Sequence, residues 1–210
     1  MTFDEALTAD LASRAKAGEG AAFDELVQRC DPGFVELATR LLDDRGEAED
    51  VRQLAWIRIW RGFSSFDERA RFTTWAFRIV VNLCRDRQRE RARRGGGRTV
   101  GLEAARQLAH ATEPSEALAR AELAERVRDA LAALPDDERE CLVLRHYHDL
   151  AATEIGEVVG RPRTTVQSCL ARALTRLTFR LRPVVGGDDA PVVEPQVEPR
   201  EPRIEQRGLP

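Results

Sequence analysis

The side chains best equipped to hold a ligand crowd together between Thr74 and Arg94. Trp75 offers a flat aromatic face, Thr74 and Asn82 offer hydrogen-bonding groups, and arginine recurs at 78, 85, 87, 89, 91, 93 and 94. An indole stacks on unpaired bases, amides and hydroxyls bond to base edges, and guanidinium forks bind phosphate. The chemistry on offer is therefore recognition of a nucleic acid. A solvated charged helix end would explain the arginines alone, but it leaves the Trp, Asn and Thr on the same element without a role.

A helix must carry these groups. Phe72, Trp75, Ala76, Ile79, Val80, Leu83 and Cys84 follow an i, i+3, i+4, i+7 series, which is one helix face. Thr74, Arg78, Asn82, Arg85 and Arg89 lie off that stripe. Beyond Cys84 the stripe stops and arginine takes over, so one helix runs from a packed half into a basic half. Trp75 lies on the inward stripe, which leaves both a core role and a base contact open.

A second group of polar side chains follows Ala152. Ile155, Val158 and Val159 predict a short amphipathic helix ended by Gly160, and Arg161-Pro162 starts a second helix with Val166, Leu170, Ala173 and Leu177 inward. Gly156 is small where the partner helix must come close. Short helix, glycine turn and basic helix make the pattern of a helix-turn-helix. The exposed side of the second helix then presents Arg163, Thr164, Thr165, Gln167 and Ser168 to base edges and phosphates. Any αα-hairpin with a glycine turn shares this pattern, so the segment by itself leaves both readings open.

The charge distribution agrees with two contact points. The net charge of −3 conceals +6 over residues 78–98 and +6 over 161–182, set against −7 over 1–56 and −7 over 99–160. Two basic patches in acidic surroundings suit a polyanion touched twice, and the acidic remainder weakens non-specific DNA binding by the free chain. Lys16 is the only lysine among 33 basic residues, and arginine suits bidentate contacts to phosphate and guanine.

Other chemistries find little support. Cys30, Cys84, Cys141 and Cys169 are far apart in apolar helical settings, which favours buried free thiols over a zinc site. His146 and His148 are two apart on one helix and do not share a face. There is no nucleophile set, phosphate loop or cofactor motif, so neither an enzyme nor a cofactor is expected. No apolar run reaches membrane-spanning length and no signal peptide is visible, which predicts a cytoplasmic protein.

In chain order the pattern predicts helices over 4–17, 21–30 and 34–42, the last two separated by a break at Pro32-Gly33. Asp43 to Gly46 reads as a turn, Glu47 to Phe63 as a longer helix, and Ser64 to Arg71 as a loop before the basic helix. Within Glu47–Phe63, Trp56 and Trp60 are assigned to the core. Helices follow over 116–134 and from Pro135 to about 148. The class is all-α, with two small helical domains joined by a flexible linker and a helix-turn-helix in the second. The first domain spans 1–94, the linker 95–115 and the second domain 116–182. A Pro/Glu-rich tail, 183–210, is expected to be disordered.

Taken together, these motifs resemble the bacterial sigma factors of the sigma-70 family, specifically the small two-domain extracytoplasmic-function group. The first domain carries AFDELV (22–27), EAEDVRQLAWIRIW (47–60) and FDERARFTTWAFRIVVNLCRDRQR (66–89). The family pattern reads roughly DAEDLVQEVFLRAW, then a Phe-Ser/Thr-Thr-Trp helix leading to Asn-Leu-x-x-Asp-x-x-Arg. The second domain carries ALAALPDDERECLVLRHYHDLAATEIGEVVGRPRTTVQSCLARAL, similar to ALxxLPxxERxVxxLRYxxxLSxxEIAExLGxSxGTVKSRLxRAR.

The resemblance implies roles. The 47–60 helix would dock on the clamp of the largest subunit of core RNA polymerase through Asp50, Gln53 and Arg58, and the second domain would meet the flap. The 62–67 loop would hold a base flipped out of the minus-ten element. Phe66, Arg71, Thr74, Trp75, Arg78, Asn82, Arg85 and Arg89 would contact minus-ten DNA and help open it. Arg161, Arg163, Thr164, Thr165, Gln167, Ser168 and Arg172 would read the minus-thirty-five element in duplex promoter DNA. The resemblance also implies an anti-sigma partner and no membrane insertion. The chain departs from the pattern at Leu54, usually acidic, at Arg161, usually apolar, and at Gln167, Cys169 and Ala171, usually Lys, Arg and His. Two rivals stay open: a stand-alone operator-binding regulator and a sigma-like adaptor that no longer initiates.

Overall fold

A computed structural model describes residues 4–95 and 114–182. The linker expected over 95–115, apart from its ends, and the tail expected over 183–210 lie outside the described residues. The described residues are helical, in two groups. The first holds α1 (Glu5–Lys16), α2 (Gly20–Leu42), α3 (Arg45–Gly62), a 3₁₀ turn (Phe63–Ser65) and α4 (Phe72–Arg93). The second holds α5 (Pro114–Ala132), α6 (Asp136–Tyr147), α7 (Ala152–Val159) and α8 (Arg163–Leu181).

Local chemistry sets the helix ends. The Asp4 carboxylate accepts the Leu7 N–H at 3.1 Å and starts α1. Asp43 takes the left-handed conformation that ends α2, and Asp44 caps α3 by accepting the Glu47 N–H at 2.9 Å. The expected four-residue turn therefore shrinks to Asp43 and Asp44. Gly160, at φ 72°, ends α7.

The expected break at Pro32 does not occur, and α2 runs through it as one 23-residue helix. Proline removes one backbone bond there and costs about 3 kcal/mol in an isolated helix. Leu26, Cys30, Phe34, Leu37 and Leu41 all bury on one face across it. That continuous apolar stripe holds the two halves in line, so packing overrides the local penalty.

The core of the first group is rich in aromatics. Phe34 packs on Trp56 at 4.8 Å between ring centroids and on Phe77 at 5.8 Å. The Trp56 indole N–H donates to Asp31 at 2.7 Å, which satisfies its one polar atom inside the fold. In the second group Leu131, Leu134, Leu142 and Ala173 form a small cluster under α5 and α8. The main core does not stop at the boundary between the groups. It continues from α1–α4 through Cys141, Leu144, Ile155 and Val159 to Val166 and Cys169. All four cysteines are buried and unpaired. Burial pushes the Cys30 and Cys141 thiols up to about 12.

Candidate nucleic-acid and polymerase interfaces

Helix α4 holds its side chains in three different ways. Phe66, just before it, is buried against Phe63, Phe72 and Trp75, with the Trp75 ring 5.1 Å away. Phe66 thus serves the aromatic core and gives no surface to a strand in this arrangement. Thr74 is buried too, and its hydroxyl has no partner among the described residues. Trp75 is half-buried, and its ring edge lies 3.4 Å from where a Cβ on Gly62 would sit. A Cβ at 62 would thus rest in contact with the indole. Arg78, Asn82 and Arg89 are exposed.

The basic end of α4 is heavily neutralised. Arg91 donates to Glu47 at 2.8 Å, to the Leu42 carbonyl at 3.0 Å and to Asp44 at 3.2 Å. It therefore pins α4 to the turn between α2 and α3. Arg87 reaches Asp50 at 3.4 Å, and Arg89 bonds Asp86 at 2.6 Å. Arg85 turns toward the second group. Its fork donates to Glu140 of α6 at 2.8 and 2.6 Å, and to the Val159 carbonyl at 3.2 Å. Arg71, before the helix, pairs with Glu154 of α7 and lies 3.7 Å from Glu5.

Helix α8 is held differently. The carbonyl of Gly156 accepts the Arg161 N–H at 2.9 Å, and a Cβ at 156 would stand 2.6 Å from the Arg161 carbonyl oxygen. Glycine is required there because the turn backbone passes so close. Glu138, buried on α6, takes Arg172 and Arg176 of α8 at 3.0 Å each. The Arg161 guanidinium bonds Asp137 at 3.0 Å. These contacts tie down one flank of α8. Its N-terminal face stays open, with Arg163, Thr164, Gln167 and Ser168 exposed and Thr165 half-buried. The Ser168 hydroxyl donates to the Thr164 carbonyl at 3.0 Å.

On α3, Asp50, Gln53 and Arg58 are all exposed. Beside them runs an exposed apolar strip, of which Trp60 had been assigned to the core. Leu54 is 39% exposed, Ile57 47% and Trp60 60%. Trp60 touches Phe23 edge-on, with centroids 4.7 Å apart, and presents the rest of its ring to solvent. The core assignment of Trp60 is thus corrected, while Trp56 is buried as expected. The signal was available in the spacing. Ala48, Val51, Ala55 and Ile59 already fill an inward stripe, so apolar residues at 54, 57 and 60 make a second stripe that the core cannot also absorb.

Among the described residues no group of His, Cys, Asp and Glu is arranged to hold a metal ion, and no helix is long and apolar enough to cross a membrane. His148 is buried with neither ring nitrogen partnered among the described residues, and burial pulls its pKa down to about 4.

The Sigma-70 region 2 family matches residues 26–94, and the Sigma-70, region 4 family matches residues 124–177. The ECF RNA polymerase sigma factor SigW of Bacillus subtilis is 33% identical over 177 residues, which is 80% of this chain and 94% of the relative. The RNA polymerase sigma-H factor of Pseudomonas aeruginosa is 31% identical over 181 residues, covering 83% and 94%. Among solved structures, CnrH in complex with the cytosolic domain of CnrY superposes with a TM-score of 0.64 at 26% identity, covering 85% of this chain and 99% of that one. Two family matches in order, and a relative of this identity over nearly its whole length, lead to one conclusion: the chain belongs to the sigma-70 family of RNA polymerase sigma factors, in the extracytoplasmic-function group.

Proposed function

We propose that this sigma factor binds core RNA polymerase through α3 and brings it to promoters read at two elements. Residues 1–94 act as region two, which docks on the polymerase clamp and handles the minus-ten element. Residues 95–115 link it to region four, residues 116–182, which reads the minus-thirty-five element. The observation that carries this reading is the exposed strip Leu54, Ile57 and Trp60, flanked by Asp50, Gln53 and Arg58. A stand-alone operator binder would use such a strip only to pair with a second copy. An exposed apolar strip with a polar rim is what a protein partner buries. Leu54, where the family usually carries an acidic residue, adds to that apolar contact.

On DNA, Trp75 and Asn82 lie along α4 with Arg78 and Arg89, next to the Gly62–Asp67 loop. Aromatic and guanidinium faces stabilise unstacked single-stranded bases, which is what promoter opening requires. Arg163, Thr164, Thr165, Gln167 and Ser168 enter a duplex major groove, with Arg161 and Arg172 at the phosphates. Phe66 and Thr74 support this surface from beneath. The chain supplies binding and the polymerase supplies catalysis, so the protein acts as a cytoplasmic initiation factor without enzymatic activity of its own. CnrH was solved with the cytosolic domain of CnrY bound, and by that likeness this chain too takes a protein partner, an anti-sigma factor as the family resemblance implies.

The test is transcription in vitro with bacterial core polymerase on promoter fragments from the host genome. New discrete start sites should arise with the protein and fall about 100-fold with Arg85→Ala and Arg89→Ala together, since removing each charged hydrogen bond costs about 1.5 kcal/mol or more. No transcript, with tight duplex binding by the free chain, would favour the operator-binding regulator. A stable polymerase complex that never initiates would favour the adaptor.

A further inference from the structure

Resting on the reading of α8 as the helix that enters the minus-thirty-five duplex, we infer that Gln167 reads an adenine there. The element this chain prefers then carries adenine at a position where a lysine at 167 would select guanine. What the fold leaves available on α8 is the starting point. Val166, Cys169 and Ala173 are buried and define its inward side. Thr164, Ser168, Ala171 and Thr175 recur at i, i+4, i+7 and i+11 down the opposite side, and all four are exposed. All are short, and two are already occupied. The Ser168 hydroxyl donates to the Thr164 carbonyl at 3.0 Å, and the Thr175 hydroxyl to the Ala171 carbonyl at 3.0 Å. A ridge of short side chains lets the helix backbone approach base edges in a groove about 12 Å wide.

Longer polar side chains flank that ridge, and most are committed elsewhere. Arg172 donates to Glu138 at 3.0 Å and Arg161 to Asp137 at 3.0 Å, so both guanidiniums lean toward α6. Cys169, where the family pattern has arginine, is buried with its sulfur 3.8 Å from the same Asp137. Thr165 is half-buried. Between Arg161 and Arg172, only Arg163 and Gln167 keep a long polar head exposed and without a partner among the described residues. Arg163 stands at the very start of α8. Gln167 begins its second turn, beside the ridge, within the N-terminal stretch by which a recognition helix meets base edges.

The amide then selects the base. A glutamine head sets a carbonyl acceptor beside an NH₂ donor. Adenine alone presents the complement in the major groove, an acceptor at N7 next to a donor at N6. Guanine shows two acceptors there, N7 and O6, which suit lysine or arginine because those side chains only donate. Cytosine and thymine each offer the amide a single hydrogen bond. Glutamine in place of the pattern's lysine therefore changes the preferred base and also removes a charge that would have bound any phosphate nearby.

The experiment uses core polymerase loaded with the full-length chain, on duplex promoters randomised across the minus-thirty-five element upstream of a mapped start site. Wild type, Gln167→Ala and Gln167→Lys are compared by the bases enriched among transcribed templates. The wild type should favour adenine at one position by about tenfold, as for a bidentate base contact. Gln167→Ala should flatten that position and leave its neighbours as they were, and Gln167→Lys should turn it to guanine. Both variants should melt with the wild type, since the side chain is exposed. No adenine position in the wild type would overturn the inference. So would an adenine preference that survives either substitution, or a loss spread evenly over all sequences, which would make Gln167 a phosphate contact. If the wild type supports no transcription, the functional reading falls instead. The same library selected by duplex binding to the free chain then decides on Gln167 by the same outcomes.

Discussion

Helices α4 and α8 carry the two basic patches of the chain, each of net charge +6 in the sequence, yet the fold treats them differently. On α4 the arginines are largely used up: Arg91 and Arg87 hold their own group together, and Arg85 is taken by Glu140. On α8 the tied arginines, Arg172 and Arg176, lie on the flank facing α6, and the leading face with Arg163 and Gln167 is open. Charge along the sequence is therefore a poor guide to charge on offer. A guanidinium already forked onto a buried carboxylate has to be released before it can meet a phosphate, whereas an exposed one only sheds water and counterions.

Acidification should disturb this comparison most. His148 sits in the join that covers α4, with its pKa near 4 against 6.5 for the free side chain, because burial disfavours the charged ring. The unfolded chain binds the proton more readily, so this contribution is whole above pH 6.5 and is lost as pH falls toward 4. The loss amounts to at most about 3 kcal/mol, from 1.36 kcal/mol per pKa unit. Denaturant midpoints taken between pH 7 and pH 4 should fall more steeply for the wild type than for His148→Asn. Equal slopes would mean that the ring is not buried as described.

Next in size, Gly156→Ala should strike the α8 side alone. The new Cβ meets the Arg161 carbonyl oxygen at 2.6 Å, and such overpacking costs about 1–3 kcal/mol. A lower melting temperature with weaker duplex binding is expected, and an unaltered melting temperature would show that the turn has slack. Trp60→Ala should leave stability almost unchanged and weaken core polymerase binding by about 2 kcal/mol, roughly 30-fold, as for a central aromatic at an interface. Titration with labelled protein measures it. If affinity held while stability dropped, the exposed indole would belong to the fold after all. Smallest is Arg163→Ala, which should weaken binding to a minus-thirty-five duplex about tenfold, in line with 1–3 kcal/mol for a base-edge contact. A uniform loss on every duplex, matched or not, would assign Arg163 to the phosphates.

Much of the molecule was legible in the order of residues. Spacing of apolar side chains located α1, α3, α4, α6, α7 and α8 to within a few residues, because helix periodicity is a local property. The close turn at Gly156 was legible for the same reason. Pro32 misled because its local penalty is real but smaller than the packing across it. Trp60 misled because an apolar residue reads alike whether it faces the core or a partner, and only the occupancy of the inward stripe separates the two. Phe66 and Thr74 lay in a motif that pointed at DNA, yet both side chains are buried under the surface they support.

The sequence by itself determined an all-helical chain, its two basic helices, its helix-turn-helix and its family. All of these rest on the types of neighbouring residues and their spacing, which a linear chain displays. Only the tertiary structure decided which arginines are free, which apolar stripe is left over, and that Glu140 lies 55 residues along the chain yet 2.6 Å from Arg85. Those are matters of which side chains meet. A meeting between distant residues depends on how every helix between them packs, and no local pattern carries that information.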